Sequence, residues 1–205
     1  LGDAARDGCA LAVLPENFAL MPERGRDKSL HAARRGEGPI QDFLRETAVQ
    51  HGMWIIGGSM PLESPEAERV YGACVVVDDQ GEQQAIYRKI HLFDVKLSSQ
   101  VDFVESDTVV PGGECVVAHT DLGQVGLSIC YDLRFPELFR QQLDAGMEIL
   151  VVPAAFTAIT GRAHWEVLVR ARAIENLCYV VAADQGGYHL NGRETHGHSM
   201  IVDPW

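Results

Sequence analysis

The chain has 205 residues, 46% of them hydrophobic and 22% charged, with a formal charge of −12, so a single domain over residues 1–205 with a sizeable core is expected. The acidic balance argues against non-specific nucleic-acid binding and offers no basic patch to a membrane surface, and no apolar run approaches the roughly 20 residues of a membrane span. The five cysteines (Cys9, Cys74, Cys115, Cys130, Cys178) are odd in number and form no CxxC pair, which suits free thiols in a reducing cytoplasm better than a disulfide framework.

The chain opens at Leu1 without a methionine, on what reads as the last turns of a helix to Asp7. It stops after a strand at Asp203-Pro204-Trp205, so further strands and a helix are expected beyond both ends. Cys9 to Leu14 is a buried strand by composition, and Pro15-Glu16-Asn17-Phe18 follows directly, which puts Glu16 at that strand's C-terminal end. Met21 to Gly38 is polar and irregular, a loop with room for a short helix. From Pro39 to His51, Ile40, Phe43, Leu44, Ala48 and Val49 fall on one helical face, with Gly52 as the stop. Met53 to Met60 reads as a strand and Ser64 to Glu68 as a polar turn. Val70 to Val77 and Glu82 to Ile90 flank Asp78-Asp79-Gln80-Gly81, a hairpin signal whose second strand delivers Lys89 to a strand end. Val95 to Cys115 shows little regular pattern and holds Glu105; a loop of that length in a compact domain is usually functional or disordered.

Gln124 to Leu138 is the stretch around which the rest is organised. It begins as a buried strand and ends as a helix opening, with Pro136 suited to the first turn and Glu137 near the positive end of the dipole. Cys130 sits at the junction, where a side chain projects into the crevice at a sheet's C-terminal edge. The N–H groups that follow are expected to lower a thiol pKa and to hold a developing oxyanion. A buried structural cysteine is the rival reading. Asp132, Arg134 and Glu137 read as a local ion-pair network fixing this elbow. Beyond it come a helix from Phe135 to Ala145 and a strand from Glu148 to Val152 stopped by Pro153. A small-residue loop from Ala154 to Gly161 follows, carrying Phe156 and Thr160. A helix from His164 to Leu177 turns Trp165, Leu168, Val169 and Ile174 inward. A strand from Cys178 to Ala183, a polar loop from Gln185 to Thr195 and a last strand from Gly197 to Val202 complete a mixed α/β order.

Glu16, Lys89 and Cys130 thus stand at the ends of three strand-like runs, with Glu105 between the last two. A thiol nucleophile needs a base, an oxyanion stabiliser and an acid for the leaving group, and a carboxylate with an ammonium meets those needs without histidine. A Cys–His pair using His164, His196 or His198 is a second reading, although nothing in the sequence places any of them beside the thiol. His196-Gly197-His198 lacks further ligands at metal-site spacing, and neither Gly112-Gly113 nor Gly186-Gly187 is a phosphate loop.

Taken in order, Leu14-Pro15-Glu16, Tyr87-Arg88-Lys89-Ile90-His91-Leu92-Phe93-Asp94, Phe103-Val104-Glu105-Ser106 leading to Pro111-Gly112, and Cys130-Tyr131-Asp132-Leu133-Arg134-Phe135-Pro136-Glu137 resemble the nitrilase, or carbon–nitrogen hydrolase, superfamily over essentially the whole chain. Ala163 to Asn176 and Gly197 to Trp205 look most like the deaminated-glutathione amidase branch, with the ω-amidases close behind. The resemblance implies an α-β-β-α sandwich of two stacked mixed sheets that dimerises or forms a higher homo-oligomer. It implies amide hydrolysis through a cysteine thioester, with no metal or organic cofactor. It implies Cys130 as nucleophile, Glu16 as general base and acid, Lys89 with a backbone N–H near Tyr131 as oxyanion stabiliser, and Glu105 as support for Glu16. Arg134 is expected either to bind a substrate carboxylate or to pair with Asp132 or Glu137. Phe156 and Thr160 would supply an apolar wall and one hydrogen bond. A relative that keeps the fold without turnover is the rival from another class.

Overall fold

The computed structural model describes residues 1–98 and 101–205; Ser99 and Gln100, within the stretch expected to be irregular, lie outside the described residues. The first half builds one sheet. A short helix α1 (Gly2–Arg6) leads into β1 (Leu11–Val13), and α2 (Asp27–Leu30) and α3 (Pro39–His51) precede β2 (Trp54–Ile56), β3 (Met60–Glu63), β4 (Val70–Val77) and β5 (Gln83–Arg88). β1 pairs parallel with β2, and β2, β3 and β5 all pair antiparallel with β4. The single strand expected over Met53–Met60 is two strands in succession along one edge of β4, broken at Gly57-Gly58.

Side chains alternate across this sheet, as the two-residue period of a strand requires. Ile55, Val75 and Val77 pack with Leu44 and Ala48 of α3, whereas Trp54, Ile56, Cys74 and Val76 face the second sheet. In α3 the buried stripe is Gln41, Leu44, Thr47 and Ala48, and Phe43 and Val49, expected inward, flank it and are exposed. Gln41 is tolerated inside because Gly36 N–H donates to its side-chain oxygen and its NH2 donates to the Arg34 and Glu37 carbonyls.

The stretch expected to be irregular contains a hairpin, β6 (Asp94–Ser98) with β7 (Val101–Val104), and a 3-10 turn at Glu105–Asp107. The second sheet follows, with β8 (Val117–Thr120), β9 (Gly123–Leu127), α4 (Pro136–Asp144), β10 (Ile149–Ala154), α5 (Ala158–Asn176), β11 (Tyr179–Asp184), β12 (Gly186–Tyr188), β13 (Glu194–His196) and β14 (Met200–Val202). Its order is β14-β11-β10-β9-β8, with β9, β10 and β11 mutually parallel and the two outer strands antiparallel. α4 and α5 cover its outer side through Leu138, Phe139, Trp165, Val169 and Ala173, completing four layers, α-β-β-α.

Four further expectations are corrected here. β10 runs through Pro153 because Pro153 pairs with Ala183 of β11, while pairing with β9 ends at Val151, so the missing N–H breaks no ladder bond with β9. α5 begins at Ala158, six residues early, because Thr157 caps it: the Thr157 hydroxyl accepts from Thr160 N–H at 3.3 Å. Ile174 is exposed and Leu168 only partly buried, so the buried stripe of α5 follows Trp165, Val169 and Ala173. The polar stretch after β11 is a second hairpin, β12 with β13.

Candidate active site

Glu16 follows β1, Lys89 follows β5, Cys130 follows β9 and Ala155–Thr157 follow β10, so the C-terminal ends of strands from both sheets open on one cavity of about 410 Å³. Glu16, Lys89, Glu105, Cys130, Tyr131, Arg134, Phe156 and Thr160 all line it. The turn bearing Glu16 is packed tightly: Gly58 has φ +51°, and a Cβ there would stand 2.0 Å from the Pro15 carbonyl oxygen. Asn17 N–H donates to Ser59 Oγ, and Gln185 Nε2 donates to the Glu16 carbonyl. Lys89 is gripped through its backbone, its N–H donating to the Gly72 carbonyl and its carbonyl accepting from Gly112 N–H. A side chain at position 112 would strike the Arg88 carbonyl at 2.2 Å, which accounts for the Pro-Gly signal there.

The charged centre is compact and nearly dry. Lys89 Nζ donates to Glu16 Oε1 at 2.8 Å and to Glu105 Oε2 and Oε1 at 2.9 and 3.1 Å. Glu16, Lys89 and Cys130 are only 6%, 2% and 7% exposed. Burial alone would lower the Lys89 pKa, but Glu105 and Glu16 outweigh it and raise it well above the usual lysine value. Burial likewise opposes ionisation of Glu105, yet Lys89, Lys28 and the Phe93 N–H (2.7 Å from Oε2) hold its carboxyl below the ordinary range.

Cys130 has φ +50°, an uncommon conformation for a residue with a side chain, at the start of a 3-10 turn over Cys130–Arg134. Its thiol pKa is raised, not lowered as expected. Burial comes first, then the Glu16 carboxylate, which accepts a hydrogen bond from the thiol; Lys89 and the Ala155 N–H pull the other way and do not prevail. Both leading influences, burial and the Glu16 charge, favour the protonated sulfur.

The elbow is fixed by Asp132, though not through Arg134 or Glu137. The fully buried Asp132 carboxylate accepts from Tyr87 OH at 2.7 Å, Ile129 N–H at 2.8 Å and His91 N–H at 2.9 Å, and meets His91 Nδ1 at 2.8 Å. Arg134 instead lies over the Tyr131 and Phe156 rings, 5.8 and 5.5 Å from their centroids, with Nη2 3.3 Å from His164 Nδ1. Among the described residues no histidine lines the cavity: His164 meets Arg134, and His196 stacks on His198 with ring centroids 4.5 Å apart.

Several lining residues have no signature in the sequence. Lys28 reaches the cavity from α2, Phe93 and Phe103 from the β6–β7 region, and Asn191 and Arg193 from the β12–β13 hairpin. Asp184, at the end of β11, accepts from Phe156 N–H at 2.9 Å and so steadies the loop carrying the cavity wall.

A buried thiol sharing a cavity with an ammonium clamped by two carboxylates, in an α-β-β-α fold, defines a class that comparison identifies. Residues 1–205 match the family described as carbon-nitrogen hydrolase, and the chain belongs to it; its chemistry is hydrolysis of an amide carbon–nitrogen bond. Among its relatives is the deaminated glutathione amidase of Yersinia enterocolitica, 46% identical over 200 residues that make up 97% of this chain and 70% of the relative. Among solved structures it resembles the Caenorhabditis elegans NitFhit protein, with TM-score 0.89 and 39% identity over the whole of this chain and 50% of that one. It also resembles a mutant amidase from Nesterenkonia sp. AN1 whose active-site cysteine carries an acrylamide adduct, with TM-score 0.82, 25% identity, and coverage of 98% of this chain and 75% of that one.

Proposed function

We propose that this protein hydrolyses a small carboxylate-bearing amide, with deaminated glutathione as the substrate, and that Cys130, Glu16, Lys89 and Glu105 carry the reaction. The observation behind this reading is the Lys89 ammonium between Glu16 and Glu105, in the same cavity as the Cys130 thiol. In the proposed sequence Glu16 takes the Cys130 proton as sulfur attacks the amide carbonyl. Lys89 and a backbone N–H near Tyr131 hold the oxyanion. Glu16 returns the proton to the departing nitrogen, the C–N bond breaks and a thioester remains on Cys130. Water, deprotonated by Glu16, then releases the acid and restores the thiol. Glu105 supports the charge balance of Glu16 and Lys89. Arg134, free of a carboxylate partner among the described residues, takes a carboxylate on the acyl side, against Phe156 and near the Thr160 hydroxyl.

Exposed Val167 and Ile174 on α5, with Leu177, Tyr179 and Ile201 nearby in the chain or sheet, support a homodimer or higher homo-oligomer. The five free thiols support a cytoplasmic setting, and among the described residues no helix is long and apolar enough to cross a membrane. The deciding experiment measures the amine released from deaminated glutathione beside the ammonia released from an α-keto-acid ω-amide. Faster turnover of the first supports the proposal, and faster turnover of the second assigns an ω-amidase. No release above a Cys130→Ala control assigns a non-catalytic relative.

A further inference from the structure

The protein carries a formal charge of −12, yet its cavity is lined by four cations (Lys28, Lys89, Arg134 and Arg193) against three carboxylates (Glu16, Glu23 and Glu105). Lys89 is held by two of those carboxylates, and Glu23 is exposed. Among the described residues neither Lys28, Arg134 nor Arg193 lies in a salt bridge, and Arg193 Nε is buried without a hydrogen-bond partner. A cleft whose sign opposes that of the molecule concentrates anions.

These cations are set out along an aromatic wall. The Arg193 guanidinium stands 4.8 Å over the Phe103 ring at one end, and the Arg134 guanidinium stands 5.8 Å over the Tyr131 ring at the other. Phe93 lies between, with ring spacings of 5.2 Å to Phe103 and 5.1 Å to Tyr131. Lys28, on α2, lines the same cavity as Arg193; burial lowers its pKa, and Glu105 and Glu16 oppose that more strongly than Lys89 and Arg193 add to it. Two ring steps span at most roughly 10 Å, about the reach of three extended residues. Arg134 follows Cys130 by four residues, so the Arg193 end is the more remote from the elbow in sequence and is assembled from separate elements.

We propose that Lys28 and Arg193 form a second anion subsite, separate from Arg134, which takes a carboxylate carried on the leaving amine and makes amides with carboxylates on both sides of the scissile bond the preferred substrate class. This deepens the amidase reading and rests on it. Arg193 supplies planar N–H donors, already oriented by stacking on Phe103, and Lys28 supplies an ammonium point charge.

The test compares deaminated glutathione with its glycine methyl ester, which lacks the leaving-side carboxylate alone. The parent protein is expected to favour the free acid in kcat/KM by on the order of 10–100-fold, the worth of a charge-assisted contact. Lys28→Met and Arg193→Met, which keep an apolar stem in place, should each pull that ratio towards one. Lys28→Arg should keep the preference, and Arg134→Leu should slow both compounds while leaving their ratio unchanged. Any general effect of Lys28 on Glu105 cancels in the ratio. A parent ratio near one, or an unchanged ratio in both methionine variants, overturns the proposal. If neither compound is hydrolysed the amidase reading fails, and the subsite is still decided by calorimetry on Cys130→Ala. Tighter binding of the acid than of the ester, lost on adding Lys28→Met, supports the subsite, and equal binding refutes it.

Discussion

Asp132 offers a prediction that joins folding to catalysis. Its carboxylate is fully buried and collects the Tyr87 hydroxyl, the Ile129 and His91 backbone N–H groups and the His91 ring. Tyr87 and His91 each lie two residues from Lys89, and Ile129 adjoins Cys130, so one side chain ties the end of β5 to the elbow after β9. Burial and Asp132 both push the Tyr87 pKa up, which keeps that hydroxyl a donor. Asp132→Ala leaves Tyr87 OH and Ile129 N–H buried without an acceptor and His91 N–H partly so, at about 1–3 kcal/mol for each group. The expected loss is about 3–6 kcal/mol, a large part of the ~5–15 kcal/mol that holds a domain folded. Asp132→Asn keeps one acceptor oxygen but turns an NH2 towards donors, and should cost about 2–3 kcal/mol. Urea unfolding reads these losses as a lowered midpoint at constant slope. Because displacement of about 1 Å between reacting groups can cost ~10²-fold, kcat of folded Asp132→Asn should fall by that order. An Asp132→Ala variant within about 1 kcal/mol of the parent, with unchanged kcat, would refute this reasoning.

Lys89→Met should lower kcat by about 10²–10³ with little change in substrate affinity; unchanged kcat with a raised KM would mean that Lys89 serves uniform binding instead. Asp184 gives a pH prediction. Burial raises its carboxyl from the ordinary 3.8 to about 8, so between those values the folded protein holds a proton that the unfolded chain releases. Its contribution therefore makes stability fall as pH rises from 4 to 8, and Asp184→Asn should flatten that part of the Tm profile; parallel profiles would contradict the assignment. Arg134→Leu should reduce kcat/KM for a carboxylate-bearing amide by on the order of 10–100-fold more than for its acyl-side ester, and an equal loss on both would remove the clamp.

The sequence was most legible where local chemistry decides. Pro39 and Gly52 bound α3 as expected, and the strand-end positions of Glu16, Lys89 and Cys130 hold, because punctuation by proline and glycine and runs of β-branched residues act within a few residues. It was least legible where tertiary pairing decides. The β12–β13 hairpin has no alternating pattern to announce it, whereas Asp94-Val95-Lys96-Leu97-Ser98 of β6 does alternate polar and apolar; Phe93, Phe103 and Arg193 meet only in the folded chain. Lys28 sits in a polar, irregular stretch where nothing distinguishes it from a solvated lysine. A helix-like turn suggests a lowered Cys130 pKa, whereas burial and the adjacent Glu16, which act across chain segments far apart in sequence, raise it. Sequence spacing alone leaves Arg134 open to an ion pair with Asp132; the fold engages that carboxylate with Tyr87, His91 and Ile129 instead.

The central claim is that an acyl group passes through Cys130 under the control of Glu16. Acid-quenching the protein during turnover of an amide, followed by peptide mass mapping, tests it most directly. The account predicts the acyl mass on the peptide containing Cys130, none in Cys130→Ala, and a strongly reduced turnover in Glu16→Gln without loss of fold. An acyl group on another residue, or near-normal turnover in Cys130→Ala, would contradict it.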